Sequence, residues 1–213
     1  MKLFVVVEGE SEKRFVRRTL RPHLRLDPVA VEVRTGTTPH GSPAYGGGDW
    51  TKWLADIRRC LAPQGTRRVT TMFDLYGLPP NFPNLQSCMD ADTNKMATAL
   101  EDVMRQQVAD DRFLPFLMRH EFETLVLASL SHLRNLLPTA KHVAIDALST
   151  VVGDAPEDVN CGEATAPSKR LIAAGIGYSK LLHGVPAVAE AGLARIVSQC
   201  PRFKAWVDQL AAL

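Results

Sequence analysis

Three hydrophobic stretches of this chain run into acid. "KLFVVV" (2–7) ends on Glu8, with Gly9 and Glu12 just behind it; "RRVTTMF" (67–73) ends on Asp74; "RFLPFLM" (112–118) leads into His120, Glu121 and Glu123. A carboxylate at the mouth of a buried strand does little for packing, but it is well placed to hold a cation or take a proton. Carboxylates gathered without matching bases raise one another's pKa unless a proton or cation is shared. An oxygen-only donor set favours Mg²⁺ or Mn²⁺. Mg²⁺ held by few carboxylates keeps positions open for phosphate oxygens, so phosphodiester chemistry is the natural candidate. On this reading Glu8, Asp74 and Glu12 are the candidate metal ligands. Glu8, Asp74, His120, Glu121 and Glu123 are the candidate catalytic groups.

Each residue also has a plainer role open to it. Glu8 could be a helix-dipole acid, Asp74 a turn initiator before Gly77, and Glu12 a solvent-facing acid in the first turn of a helix. On a helix Glu121 and Glu123 point about 200° apart, so the two do not both reach one ion, whereas His120 and Glu123 share a face. Ser168 after Pro167 reads as a helix N-cap, which puts Lys169 and Arg170 where free N–H groups favour anions. With Lys180 they are the candidate phosphate contacts. Arg14, Arg17 or Arg18, Arg21 and Arg25 line one side of a helix, as a solvated basic face or a contact for a phosphate backbone. Trp50, Trp53 and Trp206 fall at helical spacings among apolar neighbours and read as core. The "GGG" at 46–48 lacks a following Gly-Lys-Ser/Thr and is not a P-loop.

The elements that must position these groups alternate. Strands are expected over 2–7, 29–35, 67–73 and 112–118; helices over 11–24, 50–61, 93–108 and 120–137, the first opened by an imperfect capping box at Ser11. Such alternation argues for an α/β fold: a mostly parallel sheet of about four strands covered by helices on both faces. Ligands of such sheets bind beyond the carboxyl ends of the strands, where Glu8 and Asp74 would meet. The loop 38–49, with two prolines and four glycines, is expected to be poorly ordered. Beyond Pro138 the strand signal disappears. The expected organisation is an α/β domain over 1–137 with a helical C-terminal extension, 138–213, packed on it.

At 213 residues and 46% hydrophobic, the chain is long enough for one α/β core with an appendage. Its longest apolar runs fall far short of the roughly 18 residues that span a bilayer. A cytoplasmic protein without membrane association is therefore expected. Four scattered cysteines, with no C-x-x-C pair, read as free thiols rather than a disulfide framework or zinc site. A net charge of +2 does not by itself imply nucleic-acid binding.

"VVVEGESE" resembles the first motif of the Toprim domain, the acidic module of topoisomerases, primases and OLD-type nucleases. "MFDLYGLP", "RHEFETLV", "PEDVN", "PSKRL", "GYSKLLHG" and "CPRFKAW" together resemble a stand-alone Toprim-like family, domain of unknown function 4276. The resemblance implies a Toprim-like fold and a metal-dependent nuclease acting on nucleic acid with an AAA/ABC-type ATPase partner in bacterial defence. The chain departs from the Toprim pattern where Asp-x-Asp is expected, because Asp74-Leu75-Tyr76 stands there. Glu121 or Glu123 would have to compensate. The competing expectation is a binding or effector-coupling module that keeps the shape after losing catalysis; a small-molecule phosphohydrolase is a third, disfavoured by the long basic surface.

Overall fold

The computed structural model describes residues 1–24, 31–35 (backbone), 49–62, 65, 67–89, 92–159 and 165–213. The loop predicted over 38–49 lies outside them except for Asp49, as do Arg25 and Cys161. Five strands form one sheet: β1 (Lys2–Val7), β2 (Val31–Thr35), β3 (Arg67–Asp74), β4 (Phe113–Leu114) and β5 (Leu117–Met118). The order is β2-β1-β3-β4, with β5 also on β3, and every ladder is parallel. The expected α/β sheet is what the chain builds.

β1 shows why it is the central strand. Leu3, Val5 and Val7 enter one apolar cluster while Phe4 and Val6 enter the other, so both faces of the strand are buried. Uninterrupted apolar sequence is the mark of a parallel strand covered on both sides. On one face lie α2 (Trp50–Leu61) and α3 (Thr93–Val108), each opened by a predicted boundary and capped by an aspartate side chain, Asp49 and Asp92. Trp53 stacks on Phe73 at 4.2 Å between centroids, and all three tryptophans are buried as expected.

The opposite face is covered by α1 (Glu10–Phe15), α4 (Glu123–Leu127), α5 (Leu130–Asn135), α6 (His142–Val152), α8 (Val185–Gln199) and α9 (Pro201–Ala211), with α7 (Pro167–Ala173) alongside α4. Residues from both sides of position 138 share this cluster: Leu3 and Val5 belong to it with Leu171, Val188, Phe203 and Trp206. Trp206 stacks on Phe116 at 4.4 Å and donates its indole N–H to Thr70 Oγ1 at 2.9 Å, which satisfies the ring's one polar atom inside the core.

Three expected elements differ from those observed. The strand over 112–118 is split, because Pro115 has no N–H to give the ladder. Thr71 Oγ1 fills the gap, donating to Phe116 O and accepting from Phe116 N, both at 2.9 Å, and the register resumes unshifted at Leu117. The helix expected over 120–137 is two: Ser129 leaves helical geometry and its hydroxyl bonds back to Leu125 O at 2.8 Å. The first helix begins at Glu10 with Gly9 as N-cap and no side-chain cap, because Ser11 is buried inside the first turn; it continues as a π turn (Val16–Leu20) and a 3-10 turn (Arg21–His23).

A buried ion pair ties the faces together at the split strand. Glu101 of α3 accepts from Leu117 N at 2.8 Å and pairs with Arg202 of α9 at 2.5 Å. Arg202 N and Phe203 N both donate to the Glu157 carboxylate at 2.9 Å, so an acid caps the positive end of α9. Among the described residues no helix is long and apolar enough to cross a membrane, and Cys60, Cys88 and Cys200 are free thiols.

Candidate functional site

Parallel pairing of β1 with β3, Val7 opposite Met72, carries Glu8 and Asp74 to one sheet edge. There Glu8 Oε1 accepts a hydrogen bond from Asp74 N at 2.5 Å. The pairing of β3 with β5 brings the 119–123 turn alongside, and Phe122 N donates to Asp74 Oδ1 at 2.8 Å. Gly77 makes room for this meeting. A Cβ at that position would stand 3.0 and 3.3 Å from the two Glu8 oxygens and 3.3 Å from Asp74 Cβ.

Lys180 stands among the acids. Its Nζ lies 2.9 Å from Glu12 Oε1, 3.5 Å from Glu123 Oε2 and 3.7 Å from Asp74 Oδ2, and 5.0 Å from the Phe122 ring centroid. Glu12, expected to face solvent, is instead only 4% exposed; the short α1 turns it inward over Gly9. Glu123, the first residue of α4, is 5% exposed and accepts from Tyr178 Oη at 3.3 Å. Glu8, Glu12, Asp74, Lys180 and Leu181 are among the residues that line a cleft of about 480 Å³ here.

Burial dominates the electrostatics. It pushes Glu8 well above the carboxylate range, helped by the Asp74 charge and opposed by the Asp74 N–H. It raises Asp74 to about 8 against the pull of Lys180, and raises Glu123 against the same pull. Burial works to lower Lys180, but the charges of Asp74, Glu12 and Glu123 outweigh it and hold the ammonium above its usual range. Four carboxylates against one ammonium leave three uncompensated negative charges when all are ionised, so the pocket holds protons or needs another cation.

The remaining predicted site residues lie apart from this cluster. His120 is 1% exposed, with its Nε2 hydrogen-bonded to Glu157 O at 2.9 Å; its φ of 72° breaks any helical relation to Glu123, and burial lowers its pKa. Its own carbonyl accepts from Tyr76 N at 3.1 Å, so it braces the turn. Glu121 turns away from Glu123 and accepts from both Ser168 N, at 2.9 Å, and Ser168 Oγ, at 3.1 Å. The anion expected at the start of α7 is thus Glu121 itself, and Ala166, rather than Ser168, is the N-cap. Lys169 is exposed, while Arg170 donates to Thr165 O at 2.9 Å.

Sequence reasoning missed Lys180 as the counter-ion of the cluster, and it missed Tyr178 and Gly184 altogether. Gly184 has an ordinary φ of −63°, yet a Cβ there would lie 2.4 Å from Tyr178 Oη. Gly184→Ala is therefore expected to cost about 1–3 kcal/mol by overpacking. Urea melts check this, and adding Tyr178→Phe, which removes the clashing oxygen, is expected to restore part of the loss. An unchanged midpoint in the single variant would contradict the close fit.

The donor set suits a hard divalent cation: oxygen only, from four separate elements, at an open sheet edge. Among the described residues no three His, Cys, Asp or Glu side chains stand at the spacing of a formed metal cage. The centre of the carboxylate group is held by the Lys180 ammonium.

Fold and site together define a parallel α/β protein with a lysine-braced acidic cleft at the carboxyl edge of its sheet. The chain matches the family described as Domain of unknown function (DUF4276) over residues 7–211, and it belongs to that family. No curated protein and no solved structure matches it.

Proposed function

We propose that this chain is a Mg²⁺- or Mn²⁺-dependent phosphodiester-cleaving protein acting on nucleic acid, and that it works with an AAA/ABC-type ATPase partner in the bacterial cytoplasm as part of defence. The observation that carries the reading is the meeting of Glu8, Glu12 and Asp74 in one cleft, with Glu123 reaching the same Lys180 ammonium as Glu12 and Asp74. The Toprim resemblance of "VVVEGESE" and "MFDLYGLP" points to the same edge and supplies the ATPase and defence parts of the proposal.

In this reading Glu8, Asp74 and Glu12 hold the ion. When bound, a divalent cation supplies charge neutralisation at the phosphate and a more acidic water. Glu123, kept in place by Tyr178 and with its pKa raised by burial, is the group assigned to exchange a proton beside Lys180. Phe122 N–H and Gly77 fix the Asp74 and Glu8 carboxylates so that neither needs to reorganise. Lys180, once it leaves these acids, can offer its ammonium to a phosphate oxygen at the cleft, which it lines and Lys169 and Arg170 do not. The exposed Arg14, Arg17 and Arg18 on the helix that begins at the cleft favour a polyanionic substrate.

One observation favours a second reading, a non-catalytic binding module: Tyr76, more than a third exposed, occupies the place of the second Toprim acid, and Lys180 already pairs with three of the remaining ones. Cleavage assays on single- and double-stranded DNA and RNA with MnCl₂, comparing wild type with Glu8→Gln, separate the two. Mn²⁺-dependent cleavage lost in the variant is expected. Absence of both cleavage and Mn²⁺ stabilisation in the wild type would favour the binding module.

A further inference from the structure

Lys180 occupies the position that a cation shared by these carboxylates would take. Three acids from three elements approach its Nζ within 3.7 Å. A divalent ion held by Glu8, Asp74 and Glu12 would share two of these acids, Glu12 and Asp74, with the ammonium and stand about 2 Å from their oxygens. At that distance the ammonium and the ion cannot both remain in place, for steric reasons and because two cations would sit within a few ångströms in a poorly solvated cleft.

Resting on the metal-dependent reading above, we infer that Lys180 is a resident counter-ion that the divalent cation displaces, so that the carboxylates are occupied alternately by the ammonium and by the metal. The surroundings of Lys180 suit such an exchange. Its side chain is 31% exposed, whereas the Glu12 and Glu123 side chains are 5% and 7% exposed, so the lysine is the member with a route out. It sits on the first residue of a π turn, Lys180–Gly184, whose next two residues, Leu181 and Leu182, are 41% and 73% exposed. The backbone of that turn is held independently of the acids, through Leu182 N on Ser179 Oγ at 3.3 Å and Ser179 N on His183 Nδ1 at 3.1 Å. Four side-chain torsions can therefore swing the ammonium into solvent without unfolding the segment that carries it.

The exchange has a thermodynamic signature. A state in which Lys180 fills the site is incompetent for metal, and the apparent metal affinity is reduced by the fraction of molecules in that state. Removing the ammonium lifts that reduction and at the same time leaves the metal-free acids without their counter-ion. Metal binding and metal-free stability must then move in opposite directions.

Two measurements with MnCl₂ as the only added ligand test this. In the first, wild-type protein is acetylated with a succinimidyl ester with and without Mn²⁺, and labelling is read by mass spectrometry. Lys180 labelling is expected to rise several-fold with Mn²⁺, while Lys204, paired with Asp208 on the surface, stays constant. In the second, Mn²⁺ affinity from thermal shifts is compared for wild type, Lys180→Met and Lys180→Arg. Lys180→Met is expected to bind about tenfold more tightly and to melt lower without metal, and Lys180→Arg to gain nothing. Mn²⁺ binding to Lys180→Met alone would also support the exchange, with the wild type locked by its lysine. Wild-type Mn²⁺ binding with unchanged Lys180 labelling, or with no gain in Lys180→Met, would overturn the inference and leave the metal-dependent reading standing. If no form binds Mn²⁺, both fall. Should Lys180→Met not fold, labelling of the wild type decides.

Discussion

Asp74→Asn is expected to abolish Mn²⁺-dependent phosphodiester cleavage while the metal-free protein melts at the wild-type temperature or above. The expectation follows from what each oxygen of Asp74 does. Oδ1 accepts from Phe122 N at 2.8 Å, and an asparagine carbonyl can keep that bond. Oδ2 faces Lys180 at 3.7 Å, a distant pairing, and Asp74 is already driven toward its protonated form by burial. The substitution thus resembles the neutral acid that burial already favours and disturbs little of the packing, whereas it deletes a metal ligand outright. Asp74→Ala separates the two roles, because it also orphans the Phe122 N–H, at a cost of about 1–3 kcal/mol. Melting curves with and without Mn²⁺, with cleavage measured on the same samples, check both variants. An Asp74→Asn protein that melts lower without metal and cleaves like the wild type would make Asp74 a turn residue.

The second large effect is on pH. Burial places Asp74 near 8 and raises Glu8 and Glu123, so across neutral pH the folded protein retains protons that the unfolded chain has released. Stability then falls as pH rises toward the folded-state value, by about 1.4 kcal/mol per pH unit for each proton retained. His120 acts in the opposite sense: its pKa is lowered, so its contribution grows as pH rises through its ordinary value near 6.5 and is complete above it. The interval from 6.5 to 8 therefore isolates the carboxylates. The metal-free protein is expected to lose melting temperature steadily across that interval. Asp74→Asn should flatten the slope, and saturating Mn²⁺ should flatten or reverse it, because metal takes the place of the protons. A melting temperature that is level or rising in the metal-free wild type would show that the cluster is fully ionised and compensated.

Much of this arrangement is legible in the sequence because it follows from local rules. A strand ending in acid, repeated in a chain that alternates strand and helix, puts Glu8 and Asp74 on one edge by topology alone. Glu121 and Glu123 do go to different partners, though not for the helical reason expected, because α4 begins only at Glu123 and Glu121 lies in the turn before it. The physics of the α7 N-terminus was also readable, but the identity of its anion was not: nothing near position 168 points to Glu121, 47 residues away. Lys180 is the same kind of case. Its role depends on three acids at sequence separations of 57 to 168 residues, and no periodicity couples positions so far apart. Pro115 carries a signal for the split, a missing donor, that the single strand expected over 112–118 did not use; that Thr71 would bridge it required the register.

The sharing of one cluster by β1 and α9 has a consequence for biosynthesis. Leu3 and Val5 are synthesised well before the Phe203 and Trp206 that complete their cluster. At about 5–20 residues per second, some 200 residues of translation leave that strand face waiting for roughly 10 to 40 s. The opposite face closes earlier, since α2 and α3 come from the first half of the chain. The nascent chain therefore passes through a half-covered sheet whose acids have no Lys180 beside them, a species suited to chaperone capture and unable to assemble the complete cleft.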